Sequence, residues 1–349
     1  MTAVSARMPG LDGIRALAVC AVVWHHTHGA VAYLPMTRNG FLGVDVFFVL
    51  SGFLITTLLL HEKASSGRIS LRHFYARRSL RIFPLYYLVL LALTVYFVFV
   101  GAASSQRSSF LGELPFHATY TSNWVDVRSM MAITWSLSTE EQFYLLWPPL
   151  LAFLGMVSVP LLLVFLVINQ AVNFGWLDGA LSSAGIAYES LAILQCTFTP
   201  IILGALLAFA LASDRTRVRL HRLASRWTMP LFAALMLAAA NVNGDIRGWP
   251  RLSFQLATAA FLATVVLQPA HRIVTALEWK PLAYIGTVSY GVYLLHMLVV
   301  DVMKRGFEKI GLHSDGLFFC ACLLATIALA GLSFRYFERP LLRLKDRFR

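Results

Sequence analysis

Long apolar stretches alternate with short polar ones along the whole chain. Each is close to the length of a membrane-crossing helix, because about 20 residues at 1.5 Å per residue span the hydrocarbon core. The pattern predicts an all-α, polytopic integral membrane protein with about ten transmembrane helices in a single domain, residues 1–349. The apolar runs cover residues 11–32, 41–60, 82–100, 132–153, 157–174, 191–212, 229–241, 252–268, 282–303 and 316–337.

Composition agrees with lipid as the surrounding solvent. Of the 349 residues, 58% are hydrophobic and 13% are charged, which leaves more apolar surface than one soluble core could bury. The net charge is +12, and most Lys and Arg residues lie in short segments between the apolar runs. This distribution indicates membrane orientation rather than nucleic-acid binding. It predicts a multi-pass protein of the cytoplasmic membrane with both termini in the cytoplasm.

The N-terminus and the cysteines give two smaller expectations. Residues 1–10 have one Arg and no small-residue cleavage site after a short apolar core, so we expect no removable signal peptide. The cysteines lie in apolar runs without C-x-x-C spacing, which predicts inert thiols and no metal site. They are Cys20, Cys196, Cys320 and Cys322.

Ionisable residues inside apolar runs are costly to bury, so they point to chemistry. The first run carries Asp12, Arg15 and a histidine cluster of His25, His26 and His28. Arg15 and His26 are eleven positions apart, which places them on one helix face about 16 Å apart along the axis. His25 points nearly the other way. The alternative for His26 is a structural histidine held by hydrogen bonds.

Carboxylates lie near the outer ends of the second and fourth predicted helices. They are Asp45, Glu140 and Glu141, and the topology places all three at about the depth of His26. Neighbouring positions on a helix point about 100° apart, so we expect only one of the two glutamates to face inward. The alternative for the SLSTEE segment is a capping box in which Ser138 pairs with Glu141.

The motifs, taken together and in this order, resemble the membrane-bound acyltransferase-3 family, whose members O-acylate sugars and related acceptors. The first motif is an Arg, ten residues and a His, between LDGIRALAV and GFLGVDVFFVLSGFLI. Further matching segments extend over nearly the whole chain. They are RHFYARRSLRIFPLYY, TWSLSTEEQFYLLWP, SYGVYLLH and RYFERPLLRL.

The resemblance implies a fold of about ten transmembrane helices and an acyl-CoA donor on the cytoplasmic side. It implies that His26 is the catalytic residue, that Arg15 belongs to the same motif, and that Arg78 and Arg81 contact the donor. Some members add a C-terminal SGNH hydrolase-like domain, which we do not expect here.

The residue chemistry agrees with the resemblance. O-acylation needs a base that takes a proton from a hydroxyl, and imidazole titrates near the working pH. A carboxylate that orients His26 would complete a dyad. We favour Glu140 for this role from its place in the family motif, with Asp45 as the second candidate, and we expect Arg15 to face the donor side.

A basic cluster of Arg77, Arg78 and Arg81 lies where the third helix meets the cytoplasm. Guanidinium groups bind phosphates through two parallel hydrogen bonds, and CoA carries a pyrophosphate and a 3′-phosphate. The cluster is therefore a candidate donor site. The alternative is a positive-inside stop that touches only lipid headgroups.

The SYGVYLLH segment places Ser289, Tyr293 and His296 at spacings of four and three, on one face of the ninth helix. We predict that Tyr293 and His296 line the substrate cavity. For His296 the alternative is a packing role.

The sequence therefore predicts a membrane-embedded O-acyltransferase. It would move an acyl group, with acetyl as the expected one, from cytoplasmic acyl-CoA to a hydroxyl of a cell-envelope glycan, lipid-linked sugar or related acceptor. We expect no tightly bound cofactor and no nucleic-acid partner. The alternative is a proton-coupled transporter or flippase of a glycan or lipid intermediate, against which the lack of an inverted repeat counts. Oligomeric state, acyl length and direct or acyl-enzyme transfer stay open.

Overall fold

A computed structural model describes residues 8–27, 39–100, 104–185, 198–242 and 246–348, and these residues form helices and connecting turns without a strand. The predicted all-α polytopic fold class is confirmed. The helices are α1 (Leu11–His26), α2 (Gly43–Ser66), α3 (Leu71–Val95), α4 (Ser104–Ala118), α5 (Trp135–Leu154), α6 (Ser158–Asn173), α7 (Asp178–Ser183), α8 (Phe198–Ala212), α9 (Asp214–Leu223), α10 (Thr228–Ala240), α11 (Trp249–Leu267), α12 (Arg272–Leu277), α13 (Lys280–Thr287), α14 (Ser289–Lys309), α15 (Asp315–Ser333) and α16 (Arg339–Leu342).

Every one of the ten predicted apolar runs contains helix among its described residues. By length and composition, however, five helical segments can cross a membrane, or seven if each of two bent helix pairs is one span. The five are Gly40–Ser66, Leu71–Phe99, Ala132–Asn173, Trp249–Leu267 and Asp315–Lys345. Among the described residues, five to seven helical segments can thus cross a membrane by length and composition, and the total of ten stays a prediction.

Three features account for the difference in count. The fourth and fifth runs form one helical stretch of 42 residues, Ala132–Asn173. The first and seventh runs give the short helices α1 and α10, with 16 and 13 residues. The sixth and ninth runs belong to the bent pairs, in which α8 meets α9 at 103° and α13 meets α14 at 75°. Part of the sixth run, with Cys196, and the end of the first run, with His28, lie outside the described residues.

The chain divides into two compact units. The first unit contains Met1–Ile69 and Trp147–Thr287, and the second contains Ser70–Leu146 and Val288–Arg349. The single-domain assignment for residues 1–349 stays a prediction, and each unit is described by itself below.

Close helix contacts through glycine define the first unit. Gly52 of α2 lies against the Ile201 carbonyl of α8, and Gly204 of α8 lies against the Val49 carbonyl of α2, so closely that a Cβ at either glycine would overlap the oxygen. Small residues allow such approach in membrane helices, where packing rather than water drives association. Helix α2, which carries Asp45, and helix α8, which ends at the bend to α9, are therefore held in a fixed register.

In the second unit, tyrosines tie α3 to the end of α4. The Tyr86 and Tyr120 rings stack with centroids 4.3 Å apart, and the Tyr86 hydroxyl donates to the His117 carbonyl at 2.8 Å. Tyr87 donates in the same way to the Ala118 carbonyl at 2.9 Å. The loop that follows α4 is thus fixed against α3 by both stacking and hydrogen bonds.

Candidate active site

In the first unit, α1 presents the predicted base with one ring nitrogen already occupied. Nδ1 of His26 lies 2.9 Å from the Val22 carbonyl oxygen one turn earlier. A carbonyl only accepts, so Nδ1 carries the proton and Nε2 holds the lone pair that can accept another. The Val22 carbonyl on the same helix therefore favours the tautomer that a general base requires.

The other charged residue of this motif, Arg15, is half-buried near the start of α1. Its guanidinium pairs with Asp12 one turn earlier, with Nη1 and Oδ1 2.6 Å apart. His25 packs its ring on Phe41, with centroids 5.4 Å apart, and also against the His26 ring in an edge-to-face contact at 5.2 Å. The prediction that His25 points nearly the opposite way from His26 is therefore wrong, because the two rings touch.

Asp45, the second candidate carboxylate, is fully buried on α2 and bound by two residues of α11. Arg251 donates from Nε at 3.0 Å and from Nη2 at 2.9 Å, and Gln255 donates from Nε2 at 2.8 Å. Among the described residues, all of its hydrogen bonds go to these two partners. We interpret Asp45 as an anchor between α2 and α11, and its catalytic role stays a prediction.

In the second unit, the three arginines of the basic cluster have different surroundings. Arg77 donates to the Phe348 carbonyl at 2.7 Å. The Arg78 guanidinium lies over the Tyr144 ring, 3.8 Å from its centroid, and its Nε is buried. Arg81 is exposed and lies within electrostatic range of Glu338. Of the three, Arg81 is the most accessible to a phosphate.

The two adjacent glutamates lie inside α5, which begins at Trp135. The capping-box alternative is therefore wrong, and Ser138 instead shares a hydrogen bond with Ser122 at 2.9 Å. Glu141 lies within electrostatic range of Arg78, although the predicted topology placed the glutamate near the outer end of its helix and Arg78 at the cytoplasmic end. Its Oε1 is buried and has no hydrogen-bond partner in the part of the chain that the structure describes.

Glu140 lies within electrostatic range of Tyr293 as well as of Arg78. The Tyr293 hydroxyl donates to the Ile133 carbonyl at 2.8 Å and shares a hydrogen bond with Ser136 at 2.6 Å. His296 is fully buried, with Nδ1 bonded to the Tyr293 carbonyl. The structure thus brings together Glu140, Tyr293 and His296, although their roles toward a substrate stay predictions.

A buried acid and histidine in α4 organise the loop that follows it. Glu113 accepts the backbone N–H groups of Arg128 at 3.0 Å and Ser129 at 3.2 Å, and its carboxylate lies 3.5 Å from Nε2 of His117. Burial alone would raise the pKa of Glu113, but these donors and the Ser109 hydroxyl outweigh it and lower the pKa. Burial lowers the pKa of His117.

Several of these partners were not predicted. Arg251 lies just before the predicted apolar run 252–268, but it belongs to the first turn of α11. Its spacing of four from Gln255 places two polar residues on one face of an apolar helix, which is a signal for a buried polar partner. Tyr144 and Glu113 gave no comparable signal, because their contacts join distant parts of the chain. The described cysteines Cys20, Cys320 and Cys322 are free thiols.

The similarity to known proteins extends over nearly the whole chain. The acyltransferase-3 family model, described as an acyltransferase domain, matches residues 8–335. YrhL of Bacillus subtilis strain 168 is 30% identical over 96% of this chain and 55% of its own length. The peptidoglycan O-acetyltransferase OatA of Listeria monocytogenes is 30% identical over 96% and 56%.

The O-acetyltransferase OatA of Staphylococcus aureus strain NCTC 8325 is 30% identical over 96% of this chain and 57% of its own length. The chain therefore spans a little over half of the curated relatives it matches. No solved structure matches it significantly.

Proposed function

Because this chain belongs to the membrane-bound acyltransferase-3 family, we propose that it is an integral membrane O-acyltransferase that acetylates a hydroxyl of a cell-envelope glycan with cytoplasmic acetyl-CoA as the donor. The names of the relatives, a peptidoglycan O-acetyltransferase and an O-acetyltransferase, support the acetyl group and the glycan acceptor. The observation that carries the proposal is the hydrogen bond from His26 Nδ1 to Val22, which leaves the basic lone pair on Nε2.

His26 acts as the general base in a direct transfer. Nε2 takes the proton of the acceptor hydroxyl as its oxygen forms a bond to the thioester carbonyl carbon. The tetrahedral intermediate then collapses, the bond from carbon to sulfur breaks, and the departing sulfur takes the proton back from Nε2. The products are the acetyl ester, free CoA and neutral His26, so the base is ready for the next turnover.

The donor's phosphates bind at the basic cluster of Arg77, Arg78 and Arg81. Guanidinium groups suit phosphates because they offer paired, fixed donors. The exposure of Arg81 supports it as the first contact, with Arg78 held in place on Tyr144. A pantetheine arm covers a distance similar to the about 16 Å between Arg15 and His26 along α1, which is the distance from the start of that helix to the base.

Glu140 is the proposed carboxylate of the site. Since the Val22 carbonyl already fixes the His26 tautomer, Glu140 would stabilise the imidazolium that forms during transfer rather than orient the ring. Its half-buried position within electrostatic range of Tyr293 and Arg78 supports it as the carboxylate of the site. Asp45 fits this role less well, because Arg251 and Gln255 occupy its oxygens.

The orientation in the membrane can be tested with single cysteines in a cysteine-free background. With both termini inside, a cysteine at Arg128 faces outward and one at Arg217 faces the cytoplasm; the predicted outward position Arg38 lies outside the described residues. An impermeant thiol reagent on whole cells should label the first and not the second. The opposite labelling would place the donor site in a compartment without CoA and would overturn the donor assignment.

The reaction can be tested in cells by mass spectrometry of envelope glycans. Cells that carry the gene should have O-acetylated glycan, and cells without it should lose those acetyl groups. Complementation with the His26→Ala variant, present in the membrane at the wild-type amount, should not restore them. Unchanged acetylation after deletion would contradict the proposal.

A further inference from the structure

A polar pocket lies in the second unit, at the end of α3 opposite to the basic cluster. It has a volume of about 340 Å³, within the range of small-molecule sites. Its walls come from the π-helical turn that continues α3, the start of α4, the loop after α4 and the last turns of α14. The lining residues used below are Tyr96, Gln106, Ser109, Arg128, Asp301 and Arg305.

Hydrogen-bond donors and acceptors are balanced in this pocket. The Arg305 guanidinium pairs with Asp301 at 2.8 Å, and the Arg128 guanidinium pairs with Asp126 at 2.6 Å. Each positive group is thus matched by a carboxylate, which favours a neutral ligand with many hydroxyls over a phosphate or another anion. Gln106 and Ser109 add uncharged polar groups, and the Tyr96 side chain supplies an aromatic wall.

The pocket is built on supported elements rather than on a loose surface loop. Glu113 accepts the backbone N–H groups of Arg128 and Ser129 and so fixes the loop wall from beneath. Phe97, next to Tyr96, stacks on Phe110 of α4 with centroids 4.6 Å apart. A site held in this way needs little ordering when a ligand binds, which favours affinity.

Position along α3 separates this pocket from the basic cluster. Tyr96 lies in the π-helical turn that directly continues α3, and it follows Arg81 by fifteen positions, which corresponds to about 22 Å along the helix axis. If the arginines meet the donor on the cytoplasmic side, the pocket lies at the other membrane face. A hydroxyl-rich acceptor from the cell envelope would arrive there.

We propose that this pocket binds a sugar residue of the glycan acceptor, with Arg128, Arg305, Asp301 and Gln106 hydrogen-bonded to its hydroxyls and Tyr96 against its ring. The inference rests on the proposed acyltransferase function, because it assigns the acceptor's binding site for that reaction. The sugar held here positions the chain, and a hydroxyl further along the same glycan would be the one that reacts.

The test is a binding titration with the purified full-length protein and N-acetylglucosamine tetrasaccharide, without acetyl-CoA. Wild type should bind, and Gln106→Ala with Arg305→Ala should weaken binding at least about tenfold, because hydrogen bonds to a charged group are lost. Arg107→Ala is the matched control: it removes an exposed positive charge from α4, next to Gln106 but outside the pocket lining, and should change the Kd less than about twofold. Thermal unfolding shows that each variant is folded.

Equal affinity of wild type and the double variant for the tetrasaccharide would overturn the proposal. A lack of binding by wild type at millimolar tetrasaccharide would overturn it as well. Displacement of the tetrasaccharide by inorganic phosphate at equal concentration would show an anion site instead. The assay involves no transfer step, so its failure is distinct from failure of the proposed function. If wild type binds the tetrasaccharide but transfers no acetyl group, the proposed acyltransferase function is contradicted, whereas the proposed sugar site is not.

Discussion

Asp45 and Glu141 are both carboxylates on apolar helices, one in each unit, yet their surroundings differ. Asp45 has no exposed surface and accepts three hydrogen bonds from Arg251 and Gln255. Glu141 has a buried Oε1 without a hydrogen-bond partner among the described residues, although Arg78 lies within electrostatic range. A buried charge that is fully paired stabilises the packing of helices, whereas an unsatisfied buried oxygen calls for a ligand, a proton or water.

This difference helps to distinguish buried charged residues that hold helices together from those that act on a substrate. The presence of an ionisable residue in an apolar run does not by itself identify a catalytic group. The hydrogen bonds around that residue do. We therefore expect substitutions at Asp45 to lower the free energy of unfolding, and substitutions at Arg78 and, to a smaller extent, at Glu141 to change the binding of acetyl-CoA.

The largest expected effect is at Asp45. Asp45→Ala leaves the Arg251 guanidinium, which is 13% exposed, without its carboxylate. Loss of one partner of a buried ion pair costs about 3–5 kcal/mol, so the free energy of unfolding in detergent should fall by that amount. The double variant Asp45→Leu with Arg251→Met removes both charges and should recover most of the loss.

Arg217→Ala is the control for Asp45, because Arg217 and Asp214 form an exposed ion pair that should contribute less than about 1 kcal/mol. If Asp45→Ala unfolds like wild type but loses acetyl transfer, Asp45 is a catalytic residue and the structural interpretation is wrong.

A smaller effect is expected when Arg78 and Arg81 are compared. Arg81→Ala should raise the KM for acetyl-CoA about tenfold with unchanged stability, because it removes an exposed phosphate contact. Arg78→Ala should raise KM and also lower stability, since the stacking on Tyr144 is lost with the charge near Glu141. Lys at either position should rescue only in part. If the KM for acetyl-CoA is unchanged in both Ala variants, the basic cluster only anchors the helix in the membrane and does not bind the donor.

The smallest effect is expected at Glu141. Glu141→Gln replaces the carboxyl group near the proposed phosphate site by an amide of the same size, without the loss of a hydrogen bond at Oε1. We expect a folded protein whose KM for acetyl-CoA changes by less than about threefold, because the amide fits the same space and leaves Arg78 on the Tyr144 ring. A steady-state titration of acetyl-CoA measures it. A variant that fails to fold would mean that Glu141 is a structural residue like Asp45.

The helices and part of the candidate site could be predicted from local pattern. Apolar runs report helices directly, because a chain in lipid must satisfy its backbone hydrogen bonds within each helix. The shared face of Arg15 and His26, and the buried face of Ser289, Tyr293 and His296, follow from helical spacing. These features depend only on neighbours along the chain.

Pairing between distant helices could not be predicted in the same way. Asp45 and Arg251 are 206 positions apart, and their contact depends on how α2 and α11 are rotated about their axes. The stacking of Arg78 on Tyr144 depends on the packing of α3 against α5. Sequence spacing gives the direction of a side chain from its own helix, but not the residue that it meets.

The central claim is that His26 is the base of acetyl transfer, and the most direct test uses purified protein in lipid nanodiscs. Transfer of labelled acetyl from acetyl-CoA to a soluble peptidoglycan fragment is measured for wild type, His26→Ala and the matched control His25→Ala. We expect kcat to fall about 10²–10⁴-fold in His26→Ala, as for loss of a general base. The fall should be far smaller in His25→Ala, which removes a ring that packs on Phe41 and on the edge of His26 but keeps the bond from His26 to the Val22 carbonyl. Equal activity of wild type and His26→Ala at matched protein amounts would contradict the account.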